Sequence, residues 1–189
     1  MTIEKGQEWG RVVGHHGGGE ALDADLRAEL GLDPTDSSSQ LIKNWLELPV
    51  DLLRVEMTHV SGEVITFTTP THVVAGSRFR GQYCIVSSTS FVNRRRIFSR
   101  AHPNDGRLDW LEMDRAMTLR QRLLFFRRSR TESHLPHPHV CTGSSGTYAI
   151  TFDKPVRVRS KIDRRGLVSL RIEVIPDGSA VYVPAPSAE

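Results

Sequence analysis

The chain has 189 residues, 38% of them hydrophobic and 25% charged, with a formal net charge of +3. That is the profile of one compact domain with a short appendage, and it excludes a long two-domain enzyme, a disordered chain and a collagen-like one. No run approaches the roughly 18 apolar residues of a membrane span, and residues 1–11 lack the apolar stretch of a secretory signal, so a cytoplasmic protein is expected. Cys84 and Cys141 form no CxxC pair, and reduced thiols are expected rather than a disulfide framework.

In chain order, residues 10–19 are rich in glycine and histidine and read as an entry segment. Ala21, Leu22, Leu26 and Leu30 then recur at helical spacing until Gly31. Serines between residues 33 and 39 are placed to cap a second short helix holding Leu41, Ile42, Trp45 and Leu46, with Pro49 as its stop. From Leu53 the period changes. Leu53, Val55 and Met57 alternate with Arg54, Glu56 and Thr58, and Ser61-Gly62 offers a turn into a strand at 64–68, the pattern of a β-hairpin. Residues 83–88 and 108–113 read as further strands.

Residues 118–128 predict an amphipathic helix, with Leu119, Leu123 and Phe126 on one face and Arg120 and Arg127 on the other. Alternation returns at Val156, Val158 and Ile162, and again at Val168, Leu170, Ile172 and Val174. A turn is expected at 163–166, and a second at Pro176-Asp177-Gly178 ahead of a last strand at 180–183. Seven or eight strands with two or three short helices predict a mainly β fold, an antiparallel β-sandwich. The expected organisation is an acidic N-terminal extension over 1–48 and a β domain over 49–189.

Charge is unevenly spread. Residues 1–60 carry five basic and eleven acidic residues, a net of −6, whereas residues 90–130 carry eleven Arg and four acidic residues, a net of +7. Arginine's planar fork suits phosphate and carboxylate, so Arg94, Arg95, Arg96, Arg127 and Arg128 are candidate contacts for an anionic lipid or phosphate, with a solvated face as the alternative. Nucleic acid is not the expected partner, because no aromatic platform is interleaved with these arginines.

Asp105 and Asp109 stand four apart around a glycine. They either bring two carboxylates within reach of Mg²⁺ or form an Asp-Gly turn entering a strand. His134, His137, His139 and Cys141 are zinc-type ligands, but their spacing matches no finger, and surface histidines are the competing reading. His15-His16 with Gly17–Gly19 lacks the lysine and Ser/Thr of a P-loop.

The strand pair over 55–67, then Pro103-Asn104-Asp105-Gly106-Arg107-Leu108-Asp109, the basic helix, His134, Lys161-Ile162-Asp163 and Ile175-Pro176-Asp177 follow a recognisable order. It resembles the C-terminal β domain of diacylglycerol kinase and sphingosine kinase-like lipid kinases, within the superfamily of the NAD kinases. The chain also looks like a short, stand-alone actinobacterial group related to that domain. The resemblance covers roughly residues 50–184, and the Pro-x-Asp-Gly-x-Leu-Asp stretch is its most specific part.

It implies a Mg²⁺ network at Asp105 and Asp109 and a general base at Asp163. The family's Asp-Gly-Glu reads Asp163-Arg164-Arg165 here, a change that weakens the base and adds Arg164 and Arg165 to the candidate anion contacts. The family's nucleotide loop lies in a separate N-terminal domain, and no nucleotide site is visible in this sequence. The expected function is therefore a non-catalytic lipid-kinase-related domain binding an anionic ligand or a partner protein. The alternative is half of a split lipid kinase completed by a nucleotide-binding polypeptide. A homodimer and peripheral membrane association are further expectations.

Overall fold

The computed structural model describes residues 28–29, 45–160 and 162–184. Of the first expected helix, only residues 28–29 are described, and they are helical. The glycine-histidine segment, Leu41, Ile42 and Lys161 lie outside the described residues.

Among the described residues there are ten strands: β1 (Trp45–His59), β2 (Val64–Thr69), β3 (His72–Ser77), β4 (Arg80–Ser87), β5 (Phe91–Val92), β6 (Arg95–Arg96), β7 (Leu108–Met113), β8 (Val140–Ser145), β9 (Thr147–Arg159) and β10 (Asp163–Pro184). Helix α1 (Leu119–Arg128) and a 3₁₀ turn at Ser129–Thr131 separate β7 from β8. Eight strands form one antiparallel sheet in the order β2-β1-β10-β9-β3-β4-β7-β8, and β5-β6 form a separate ribbon. The mainly β, antiparallel expectation holds.

The two halves of the large sheet join where β9 meets β3 over two residue pairs, Val74 with Arg159 and Ala75 with Val158. Around that seam the sheet closes on one core. Leu53, Val55 and Met57 of β1 and Leu170, Ile172 and Val174 of β10 share it with Val73 and Ala75 of β3, Cys84 and Val86 of β4 and Leu108 of β7. Trp110 of β7 meets Tyr148 of β9 at a ring separation of 5.6 Å. The opposite face of β3, β4 and β7 is also buried, under the β5-β6 ribbon and α1, through Ile85, Leu111, Ile97 and Phe125.

The β1-β2 hairpin follows the alternation read from the sequence, with Gly62 at a φ of +85° in its turn. Three local expectations are corrected. Trp45 and Leu46 belong to β1, not to a helix, because they pair with Pro184 and Val183 of β10. Pro49 does not stop an element. It lies where β2, which covers only Leu53–Thr58, leaves the strand flank open and no ladder donor is required. The turn expected at 163–166 sits earlier, at Ser160–Ile162, closed by Ser160 N–H donating to the Ile162 carbonyl at 3.0 Å. Gly166, at a φ of +80°, instead marks a bulge in β10, where an added Cβ would lie 2.5 Å from His59 Nε2.

Helix α1 begins as the sequence predicts, with Thr118 and Gln121 forming a capping box. Its inward face does not match the prediction. Arg122 and Phe125 are buried, whereas Leu119 and Leu123 are about half exposed, at 53% and 52%. The Arg122 guanidinium reaches the carbonyls of Met117 (3.1 Å), Asp114 (2.8 Å), Ser77 (3.2 Å) and Gly81 (2.5 Å). Five donors on one planar group satisfy carbonyls from a loop and a hairpin that a leucine would leave unpaired.

Candidate functional site

Asp51 of β1 is fully buried, within the run Val50–Leu53 that is buried throughout and across which the β1-β10 ladder shifts register. Its backbone N–H donates to the Pro103 carbonyl at 2.7 Å. One carboxylate oxygen accepts the Gly106 N–H at 2.7 Å and the other accepts the Asp177 N–H at 3.0 Å. Pro176-Asp177-Gly178 is not a strand-ending turn. These residues bulge out of β10 opposite Asp51, between the pairs Leu52 with Ile175 and Val50 with Ser179, and Asp177 adopts a φ of +50°. A single buried carboxylate thus holds the Pro-Asn-Asp-Gly turn against the Ile-Pro-Asp-Gly bulge. Asp51 was missed as a site residue, although a lone carboxylate inside the apolar run 48–53 was the available signal.

Within the turn, Asp105 is exposed and accepts the Arg107 N–H at 3.0 Å, which is an Asx turn, so the Asp-Gly-turn reading describes the backbone. Asp109 is half-buried on β7, between Ser87 of β4 and Ser144 of β8. Burial raises its pKa to about 6; the nearby charge of Asp105 adds to the rise and Arg107 opposes it. A carboxyl raised by burial and by a neighbouring carboxylate is an electrostatic setting that a divalent cation relieves, and Mg²⁺ commonly takes one or two protein carboxylates and keeps its waters. Asp105 and Asp109 therefore fit the implied ion.

Asp163 is not brought beside this turn. It opens β10, whereas Asp177 lies fourteen residues further along the same strand, about 45 Å of extended chain at about 3.3 Å per residue. Its carboxylate is gripped by the Arg157 guanidinium, with Nε donating to Oδ1 at 2.6 Å and Nη2 to Oδ2. That hydrogen bonding, helped by Arg159 and Arg165, holds the Asp163 carboxyl below the usual range.

Among the candidate arginines, five are brought together. Arg95 Nη1 donates to the Phe126 carbonyl near the end of α1, and Arg96 meets Glu132 at 3.5 Å just beyond the 3₁₀ turn. The β5-β6 ribbon therefore abuts the last turn of the helix, where Arg127 and Arg128 are exposed. Arg164 and Arg165 belong to a different surface, at the β9-β10 hairpin with Arg157 and Arg159.

The zinc grouping does not form. His134 is buried edge-on against Phe125 at 4.9 Å, its Nε2 is 3.0 Å from the Ile97 carbonyl, and burial lowers its pKa. Among the described residues, no three His, Cys, Asp or Glu side chains are grouped for a metal. Both cysteines are free, and burial pushes the Cys84 thiol up to about 12. An open groove of about 480 Å³ lies between residues 112–115 and 138–141 and is lined by Glu112, Asp114, Arg115, His139 and Cys141. No described helix is long and apolar enough to cross a membrane.

No protein-family model and no curated protein matches the sequence. Similar solved structures include a diacylglycerol kinase from Bacillus anthracis str. Sterne, 11% identical with a TM-score of 0.45, covering 74% of this chain and 55% of that one. Two further structures named as diacylglycerol kinases from the same organism are 10% and 12% identical, with TM-scores of 0.42 and 0.40, and cover 71% and 72% of this chain. The chain matches only 40% and 42% of those two proteins' lengths. These neighbours are of the class that the Pro-Asn-Asp-Gly-Arg-Leu-Asp stretch resembles. At such identity and TM-score the likeness assigns neither substrate nor chemistry.

Proposed function

We propose that this chain is a lipid-kinase-related β domain that binds an anionic, phosphate-bearing ligand and does not transfer phosphate on its own. The observation that carries this reading is the arginine cluster at the end of α1, where Arg94, Arg96, Arg127, Arg128 and Arg130 are exposed around the 3₁₀ turn. Glu132 is the carboxylate in contact with it, through Arg96. A guanidinium group offers paired donors to phosphate oxygens, and several on one surface raise the local anion concentration.

The state of Asp163 supports the non-catalytic part. A carboxylate in a two-point grip and held below its usual pKa is a poor acceptor for an alcohol proton. A second reading, the β half of a split lipid kinase, is favoured by the Asp105–Asp109 turn that Asp51 holds in place; Mg²⁺ there would supply charge neutralisation for phosphate.

The test is titration with glycerol 3-phosphate and inorganic phosphate, followed by calorimetry. Binding is expected to weaken with salt and to fall at least tenfold in Arg127→Glu/Arg128→Glu. Binding unchanged in that variant overturns the anion site. Transfer from ATP to diacylglycerol by the protein alone overturns the non-catalytic reading.

A further inference from the structure

Helix α1 turns Arg122 inward beside Phe125 and its leucines outward, so its apolar side chains are divided between both faces. At 3.6 residues per turn, the arc running outward from Phe126 reads Leu119, Leu123, Arg127, Arg120, Leu124 and Arg128. Leu119, Leu123 and Leu124 are 53%, 52% and 39% exposed. Arg122 fastens this helix to the carbonyls of Ser77 and Gly81, the two residues that flank Arg78-Phe79-Arg80 at the tip of the β3-β4 hairpin. Phe79 is 46% exposed there, with the Arg78 guanidinium 4.6 Å from its ring centre. Neither α1 nor the hairpin, residues 72–87, contains an Asp or Glu.

From this placement we infer that the outer face of α1 and the β3-β4 tip dock on an anionic lipid bilayer, with Leu119, Leu123 and Phe79 entering the interface and the arginines meeting headgroups. The inference rests on the anionic-ligand reading above and adds that the anion is presented by a membrane.

Charge selects this occupant. A second copy of the same face would set arginine against arginine, because neither α1 nor the hairpin carries a carboxylate, and of the acids that border them Glu132 is paired with Arg96 and Asp153 with Arg115. Alternating apolar and cationic residues on a convex helix suit a fluid interface, where leucines sink to the acyl boundary and guanidinium groups stay at the headgroup level. Each arginine near an anionic leaflet adds electrostatic attraction that salt screens.

The experiment is sedimentation of the full chain with vesicles of phosphatidylcholine alone and with 30% phosphatidylserine. Partitioning is expected only onto the anionic vesicles, falling as salt rises. Leu119→Ser/Leu123→Ser should reduce it by about a hundredfold, roughly tenfold per leucine withdrawn from apolar contact, while leaving glycerol 3-phosphate binding unchanged. Both leucines are outside the core, and an unaltered melting temperature verifies the fold. A Leu123→Trp variant should be quenched by brominated lipid. No partitioning of the parent protein, partitioning unaffected by the double variant, or absence of quenching overturns membrane docking. A double variant that only breaks up a dimer or releases an acidic protein partner overturns it in favour of that occupant. Loss of phosphate binding on Arg127→Glu/Arg128→Glu tests the underlying reading separately.

Discussion

Asp109 shows how one residue's surroundings set the pH behaviour of the site. Its pKa stands at about 6 in the folded chain against an ordinary 3.8, so the folded state holds that proton more tightly than the unfolded chain does. Its contribution to stability is therefore gained as pH falls through about 6 toward 3.8 and is least favourable above pH 7. Asp109→Asn should raise the melting temperature by about 2–4 °C at pH 7.5, with the gain vanishing below about pH 4. The parent carboxyl followed by NMR should titrate near 6, and millimolar MgCl₂ should lower that value. A pKa indifferent to Mg²⁺ would remove the cation from this turn. The residue types were legible in advance as two aspartates around a glycine, but the shift was not, because it depends on Ser87 and Ser144 strands flanking Asp109.

At the scale of elements, α1 separates what spacing can say from what it cannot. Thr118 and Gln121 form the cap that their spacing foretells, since capping is a contact within one turn. The inward face was misjudged because hydropathy ranks leucine above arginine. Here the deciding quantity is unpaired backbone carbonyls on neighbouring elements, which only a multidentate donor satisfies. Arg122→Met should therefore destabilise the protein by about 3 kcal/mol or more in urea denaturation, despite its greater hydrophobicity, with Arg122→Lys recovering part of the loss. A neutral Arg122→Met would mean that the four carbonyls find other partners. The bulges at Gly166 and at 176–178 were read as turns for a related reason. Glycine and Asp-Gly signals report a left-handed backbone, which a bulge uses as well as a turn.

Across the whole molecule, Asp51 joins segments 55 and 126 residues away along the chain. Removing its carboxylate in Asp51→Ala leaves two backbone N–H groups without their acceptor, at an expected cost of about 2–4 kcal/mol. Hydrogen exchange at Gly106 and Asp177 should accelerate together, and exchange that stays slow at both would show the turn and bulge to be held by something else. The sequence by itself determined the strand periodicity, the antiparallel β class, the helix cap and the residue types of the acidic turn and arginine block. Each of these is a relation between a residue and its near neighbours or the solvent. Only the tertiary structure decided the sheet order, the burial of Arg122, the pairing of Asp163 with Arg157 and the gathering of two motifs on Asp51. Those depend on which distant hydrogen-bonding groups meet when the sheet closes, and alternation along a strand is equally satisfied by many pairings.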